Sequence, residues 1–162
     1  MKQAPIPENE KERLNAVYSL GILDTEPEKR FDDITKEAMD KLNVPISTIT
    51  IIDKDREWFK SCQGLTNKEG SREISFCGHA LMAADIFVVE DTFKDELFKD
   101  NPMVIGSPFI RFYAGVSLRD HTTGLPVGVF CVKDIKPKKL TLDEMNVLLD
   151  LANRAEVELN KK

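Results

Sequence analysis

The chain has 162 residues, of which 41% are hydrophobic and 31% are charged, a composition typical of one globular domain with its own core. Its formal charge of −5 argues against a protein that binds nucleic acid through a basic surface, and we interpret the one basic cluster, residues 133–139, as a solvated turn. Three cysteines without paired spacing argue against a disulfide framework, so we expect a reducing, cytoplasmic location.

The N-terminal part predicts a leader followed by a helix. Residues 1–8 contain two prolines and no hydrophobic period, which predicts a flexible leader ahead of a single domain over residues 9–162. Apolar residues at near-helical spacing between 14 and 20 predict the first helix, and Gly21 ends it. No apolar stretch approaches the length needed to span a bilayer, so we expect no membrane segment.

A second helix is predicted over residues 25–42. Thr25 and Glu28 have the spacing of a capping box, and Pro27 suits a first turn. Pro45 marks the end of this helix.

A β-hairpin is predicted to follow. Residues 46–53 are rich in β-branched side chains, residues 54–55 form a turn, and residues 56–61 return as the second arm. Alternation places Trp58 and Phe59 on opposite faces of this arm, where we expect packing and not recognition.

The middle of the chain contains shorter predicted elements. A polar loop over residues 64–72 leads into a short helix at 76–83 and a strand at 87–90. Residues 91–108 form a turn-rich insertion with a helical piece near 96–99. An insertion of this length is typical of a lid over a site.

Two further strands and a long helix complete the chain. Strands are predicted at 111–119 and 126–133, joined by a hairpin loop at 120–124. The final helix begins at a second capping box, from Thr141 to Glu144. Its apolar stripe comprises Met145, Leu148, Leu149, Ala152, Ala155 and Leu159. Helices at both ends of a strand-rich centre predict an α+β domain.

Five stretches, taken in order, resemble those of a GAF domain. They are residues 20–25 (LGILDT), 56–61 (REWFKS), 75–80 (SFCGHA), 100–102 (DNP) and 110–115 (IRFYAG), and residues 127–132 on the last strand also fit. The resemblance extends roughly from residue 14 to residue 159 and is strongest to modules that precede bacterial diguanylate cyclases or sensor histidine kinases. It implies a central five- or six-stranded, mostly antiparallel sheet. The N- and C-terminal helices should cover one face, and short helices and loops the other.

The resemblance also implies either a small-molecule pocket between the sheet and the short helices, or a purely dimerising module. Aromatic walls with a few polar groups suit a small ligand, although the same aromatic residues could simply fill a core under a long loop. The residues expected to line the pocket are Phe76, Cys77, His79, Asp91, Phe98, Pro102, Phe112, Tyr113 and Gly115.

A catalytic role for Cys77 is the alternative from another class. Cys77-Gly78 is similar to the corresponding step of the free methionine-(R)-sulfoxide reductases, but these enzymes need a second cysteine in the insertion that follows. Residues 91–111 contain no cysteine. Cys77 and His79 stand two apart, so on a helix they point in different directions. We therefore expect no enzymatic activity, with a thiol-dependent reductase as the alternative.

No cofactor is assigned from the sequence. Two histidines and three scattered cysteines give no metal-ligand spacing. Cys77 could attach a bilin chromophore, but the other chromophore-contacting signatures are not evident. The cyclic-nucleotide pattern that begins with Asn67-Lys68 is broken, because Phe93 and Asp95 do not have the required spacing.

The resulting expectation is a non-catalytic sensory module that binds an unidentified small molecule. We expect a homodimer formed through the terminal helices, because the stripe of the last helix is wider than one sheet face needs. That helix continues without a glycine or proline stop, as it would if it led into a cyclase or kinase output domain. The alternative is a structural dimerisation domain, and the stripe would then cover the back of the sheet.

Overall fold

A computed structural model describes residues 1–161. The helices are α1 (Glu10–Ser19), α2 (Lys29–Leu42), α3 (Phe76–Ala80), α4 (Pro102–Ile105) and α5 (Leu142–Leu159). The strands are β1 (Ile46–Ile52), β2 (Arg56–Gln63), β3 (Glu69–Ser71), β4 (Phe87–Val89), β5 (Phe112–Arg119) and β6 (Pro126–Asp134). Among these residues, no helix is long and apolar enough to cross a membrane.

The strands form one sheet in the order β3-β2-β1-β6-β5-β4, and every neighbouring pair is antiparallel. Helices α1, α2 and α5 pack on one face, and α3 packs on the other. We call these the helical face and the α3 face. This arrangement confirms the α+β architecture and the layering expected from the sequence.

The central strands β1 and β6 are buried along their whole length. Their side chains alternate between the two faces, as a pleated strand requires. Ile49 and Ile51 of β1 join the core of the helical face. Thr48 and Thr50 point the other way and hydrogen-bond each other over 2.7 Å. The α3 face of the sheet is therefore polar at its centre.

A β-bulge in β2 places two consecutive polar side chains on the helical face. The register shifts where Ile49 pairs with Ser61 and Thr50 pairs with Phe59, so Lys60 has no partner across the strand. Ser61 Oγ lies 2.5 Å from a carboxylate oxygen of Asp32 on α2. Lys60 reaches the segment that leads into α2.

That segment does not form the capping box predicted at Thr25 and Glu28. The hydroxyl of Thr25 donates to the carbonyl oxygen of Ile22 over 2.5 Å and accepts from Lys60 Nζ over 2.8 Å. Because the hydroxyl is already engaged, it does not cap the helix, and α2 begins only at Lys29. By contrast, the capping box from Thr141 to Glu144 is confirmed, with hydrogen bonds of 3.0 and 3.1 Å.

Two further predictions on local structure need correction. The polar loop at 64–72 contains the short edge strand β3, which pairs with β2. The helical piece expected near 96–99 is only a series of turns. It lies between a 3-10 helix at Thr92–Lys94 and α4. Helix α4 begins at Pro102, with Asn101 Oδ1 accepting from the Met103 amide over 2.9 Å.

Arg56 joins three segments near one end of the sheet. Its guanidinium contacts Asp24 in the α1–α2 connection at 2.8 Å, Asp53 after β1 at 2.9 Å and Glu69 of β3 at 3.0 Å. A planar, five-donor side chain is suited to holding several carboxylates at once.

The leader has no regular secondary structure over residues 1–7 and runs beside α3. The Ala4 amide donates to the Glu73 carbonyl over 3.1 Å, and the Lys2 carbonyl lies 3.2 Å from His79 Nε2. The division into a flexible leader and one domain stays a prediction.

Candidate functional site

Aromatic side chains fill the space predicted to hold a ligand under α3. The rings of Phe76 and Phe98 stack with their centroids 4.2 Å apart, and Phe76 lies 5.2 Å from the ring of Tyr113. All three side chains are fully buried and belong to one apolar cluster. They pack as a small core, which is the alternative that the sequence left open.

Tyr113 explains two more members of the predicted set. Its hydroxyl donates to Cys77 Sγ over 3.2 Å. Its ring lies over Gly115, where an added Cβ would stand 2.4 Å from the Tyr113 hydroxyl oxygen. Gly115 therefore makes room for the Tyr113 ring.

Of the remaining predicted residues, only His79 contacts this cluster. Phe112 lies on the helical face, because it alternates with Tyr113 along β5; its assignment to the α3 face was wrong. Pro102 is exposed at the start of α4, and Asp91 pairs with Arg111 over 3.0 Å. His79 is half-buried beside Phe98. The nine residues thus do not surround a common cavity, and their binding of a ligand stays a prediction.

The thiol environment does not favour nucleophilic chemistry at Cys77. Cys77 is fully buried, and burial raises the pKa of its thiol well above the usual value. Although burial opposes it, the pKa of neighbouring Cys131 is lowered to about 7 by the Cys77 thiol and by the positive charge of Lys133. Cys131 is equally buried, and its Sγ lies 3.0 Å from the Thr48 hydroxyl. A reactive cysteine requires both a lowered pKa and solvent access, and neither thiol combines them.

A cleft of about 450 Å³ opens elsewhere on the α3 face, between β2, the loop before β3 and the segment that joins α4 to β5. Apolar side chains cover much of its wall. Its lining includes Phe59, Leu65, Ile74, Met103, Pro108 and Ile110. A concave, largely apolar space of this size is typical of sites for small molecules.

Two charged side chains, Glu57 and Lys133, also line this cleft. Glu57 on β2 is 2% exposed, and its Oε1 atom is buried without a hydrogen-bond partner. Lys133 near the end of β6 is 1% exposed, and among residues 1–161 its ammonium group forms no ion pair, although Cys131 and Glu57 lie near enough to raise its pKa. Buried charges of this kind are nearly always paired, so the two groups mark the cleft as unusual.

Their electrostatics follow from burial. Burial raises the pKa of Glu57, and the positive charge of Lys133 and the Cys77 thiol oppose that rise. For Lys133, burial lowers the pKa, but negative charge from Cys131 and Glu57 outweighs it and the net shift is upward. The cleft is therefore lined by a glutamate and a lysine whose pKa values are both raised.

Sequence reasoning missed both residues, although it contained a signal for each. Glu57 alternates with Trp58 in a strand whose neighbours are buried, so it had to point into the domain on the α3 face. Lys133 follows Val129 and Cys131 at a period of two and is part of β6. The interpretation of residues 133–139 as a solvated turn is thus wrong for Lys133.

No metal centre is formed by the described residues. Within 1–161, no group of three or more histidine, cysteine, aspartate or glutamate side chains is placed to hold an ion.

Comparisons with known proteins show relatives that differ in activity. Over 138 residues, 85% of this chain, it is 38% identical to a cyclic di-GMP phosphodiesterase of Pseudomonas aeruginosa, of which it spans only 23%. The fold is similar to the GAF domain of an Acinetobacter phosphoenolpyruvate-protein phosphotransferase, with a TM-score of 0.63 at 16% identity, covering 91% of this chain and 92% of the other. It is also similar to a free methionine-R-sulfoxide reductase from Neisseria meningitidis, with a TM-score of 0.64 at 15% identity over 99% and 98% of the two chains.

Structural likeness at such low identity shows the fold alone. The sequence profile of the GAF domain matches residues 26–159, which is most of the chain. This chain therefore belongs to the GAF domain family.

Proposed function

We propose that this chain is a regulatory module that binds a small molecule in the cleft lined by Glu57 and Lys133. One observation supports this most: two charged side chains, Glu57 and Lys133, are almost completely buried beside a cleft of about 450 Å³, and Glu57 Oε1 has no hydrogen-bond partner. Groups that weaken a fold are kept where a site requires them. The site expected under α3 is occupied by its own aromatic rings, so the proposal moves to this neighbouring cleft.

Native mass spectrometry of the purified protein, before and after denaturation, tests the proposal by showing what co-purifies. A thermal-shift screen of metabolites complements it. A ligand that binds only the folded state stabilises it by about 2.7 kcal/mol at a hundredfold excess over Kd. If no molecule co-purifies and no metabolite raises the Tm, the proposal fails.

The proposal includes the absence of turnover. Cys77 is buried, has a raised pKa and forms no hydrogen bond with His79 in the described chain. Incubation with free methionine-(R)-sulfoxide and dithiothreitol should give no reduction above the buffer rate. Reduction that disappears in Cys77→Ser and persists in Cys62→Ser would instead establish the reductase alternative.

Dimerisation through the terminal helices is also proposed, but only part of the predicted stripe is free to take part. Leu148, Ala152, Ala155 and Leu159 of the stripe are buried in this chain's own core. The outward side of α5 instead exposes Leu142, Leu149 and Val157, spaced seven and eight residues apart as a helix pair requires.

Sedimentation of Leu149→Glu tests this surface. We expect a wild-type dimer that dissociates in Leu149→Glu and persists in the control Lys36→Glu, which changes an exposed position on α2. A wild type that is monomeric at high concentration would contradict the proposal. Because the phosphodiesterase relative is about four times longer, action on an attached output domain is part of the same proposal.

A further inference from the structure

The cleft contains an acidic and a basic side chain whose polar atoms the protein does not fully satisfy. Glu57 and Lys133 come from different strands, β2 and β6, which are separated by β1. They line the same space and shift each other's pKa, but among residues 1–161 no ion pair joins them directly. Glu57 Oε1 is buried without a hydrogen-bond partner, and such burial of a polar atom is unfavourable in a folded protein.

A ligand with one charge would not relieve this arrangement. An anion next to Lys133 would leave the Glu57 carboxylate unpaired and repel it, and a cation next to Glu57 would do the same to Lys133. A molecule with both charges would satisfy the two groups together. Charge-assisted hydrogen bonds inside such a site are stronger than neutral ones.

The other residues that line the cleft limit what can join the two charged groups of such a ligand. Phe59, Met103 and Ile110 contribute apolar surface to the same cleft. Asn67 and Thr66 add neutral polar groups at the rim. A short aliphatic skeleton suits this wall better than a highly hydroxylated one, because each unpaired hydroxyl would lose its hydrogen bonds to water.

We infer that the cleft binds a small zwitterion with an aliphatic skeleton, whose ammonium group pairs with Glu57 and whose anionic group pairs with Lys133. This inference rests on the proposed function and names its ligand class. The Glu57 carboxylate binds the ammonium group of the ligand, and the Lys133 ammonium binds its anionic group. The distance between the two side chains selects the length of the ligand's skeleton.

Titration calorimetry with a defined probe set tests the inference. The probes are the ω-amino acids from glycine to 6-aminohexanoate, together with leucine and methionine. Each has two singly charged controls of matched length, the alkylamine and the alkyl carboxylate. We expect at least one zwitterion to bind, and both of its controls to bind more weakly by at least about tenfold, the loss expected for one charged hydrogen bond.

Two variants assign the two ends of the ligand. Glu57→Gln and Lys133→Met should each weaken binding of the zwitterion by at least about tenfold. The controls Glu73→Gln and Lys136→Met change exposed side chains and should bind as the wild type does. Should a site variant fail to fold, amide chemical shifts of the wild type give the location. The zwitterion should perturb residues 57, 65–67, 103–110 and 133, and perturbations confined to α3 would overturn the inference.

The possible failures are distinguishable. If no zwitterion of the set binds, or if a singly charged control binds as tightly, this ligand class is wrong. The proposed sensory function then survives only if native mass spectrometry shows another bound molecule. If neither experiment finds a ligand, both the ligand class and the sensory function are wrong.

Discussion

Two buried lysines on opposite faces of the sheet have contrasting environments. Lys60, on the helical face, donates to Thr25 Oγ1 over 2.8 Å and to the Glu26 carbonyl over 2.5 Å, and it pairs with Glu28 over 2.8 Å. Lys133, on the α3 face, has none of these contacts. Burial alone therefore does not distinguish the two lysines, and our proposal rests on the difference in their partners.

The largest expected effect is on stability at Lys60. Lys60→Met should lower the free energy of unfolding by about 2–4 kcal/mol, because it leaves three acceptors without their donor. Lys133→Met should change it by less than about 1 kcal/mol, since the ammonium group forms no ion pair within residues 1–161 and Glu57 can take up a proton. Urea denaturation measures both. Equal losses in the two variants would show that the contrast between the lysines is false.

Removing both charges of the cleft should stabilise the protein while abolishing ligand binding. Glu57→Met with Lys133→Met should raise the free energy of unfolding by about 1–4 kcal/mol, as replacement of buried charges by apolar groups often does. The control pair Glu73→Gln with Lys136→Met should stay within about 0.5 kcal/mol of the wild type. A destabilised double variant would mean that the two charges support the fold.

The packed side of the α3 face should resist an added methyl group. Gly115→Ala brings a Cβ within 2.4 Å of the Tyr113 hydroxyl oxygen, and overpacking of this kind costs about 1–3 kcal/mol. Adding Tyr113→Ala should recover part of the loss caused by Gly115→Ala, so the two changes should not be additive in urea denaturation. Additive losses would show that the ring does not occupy this space.

Two glutamates should give opposite dependence of stability on pH. The pKa of Glu28 is lowered to about 2 by hydrogen bonds from Arg30 and Lys60. Its contribution is therefore present above about pH 4.5 and is lost as the pH falls towards 2. The pKa of Glu57 is raised by burial, so its contribution is present below about pH 4.5 and is lost as the pH rises through the raised value.

Urea denaturation of Glu28→Gln and Glu57→Gln across pH 3 to 8 measures these slopes. Relative to the wild type, Glu28→Gln should lose stability as the pH rises, and Glu57→Gln should gain it. Slopes of the same sign would contradict the assignment of the paired and the unpaired carboxylate. Salt should weaken the Glu28 effect more, because that side chain is partly exposed.

Local sequence signals predicted most of the fold because they act over a few residues. The capping box at Thr141 and the β-branched run of β1 each depend on near neighbours and were confirmed. The box at Thr25 failed because Lys60, 35 positions away, engages the same hydroxyl. Competition of this kind cannot be read from a local pattern.

The candidate site was harder to predict from the sequence, because several residues of the family motifs stabilise the fold and do not line the cleft. Ser75 Oγ caps α3 by accepting from the Gly78 amide over 2.9 Å. Asn101 caps α4, and its Nδ2 donates to the Ile74 carbonyl over 2.9 Å. These recognisable residues hold the short helices in place. Glu57 lies inside a motif but was not singled out, and Lys133 lies just beyond one.

The ion pairs of Arg56 connect the edge strand beside the cleft with the segment that leads into α2 on the helical face. Glu69 belongs to the edge strand that follows the cleft-lining loop, and Asp24 belongs to the connection before α2. If a ligand shifts that loop, Glu69 moves relative to Arg56, and the balance among the three carboxylates changes. Pairs with exposed carboxylates are individually weak and can be exchanged at small cost. A ligand that shifts this loop would therefore meet little resistance from these pairs.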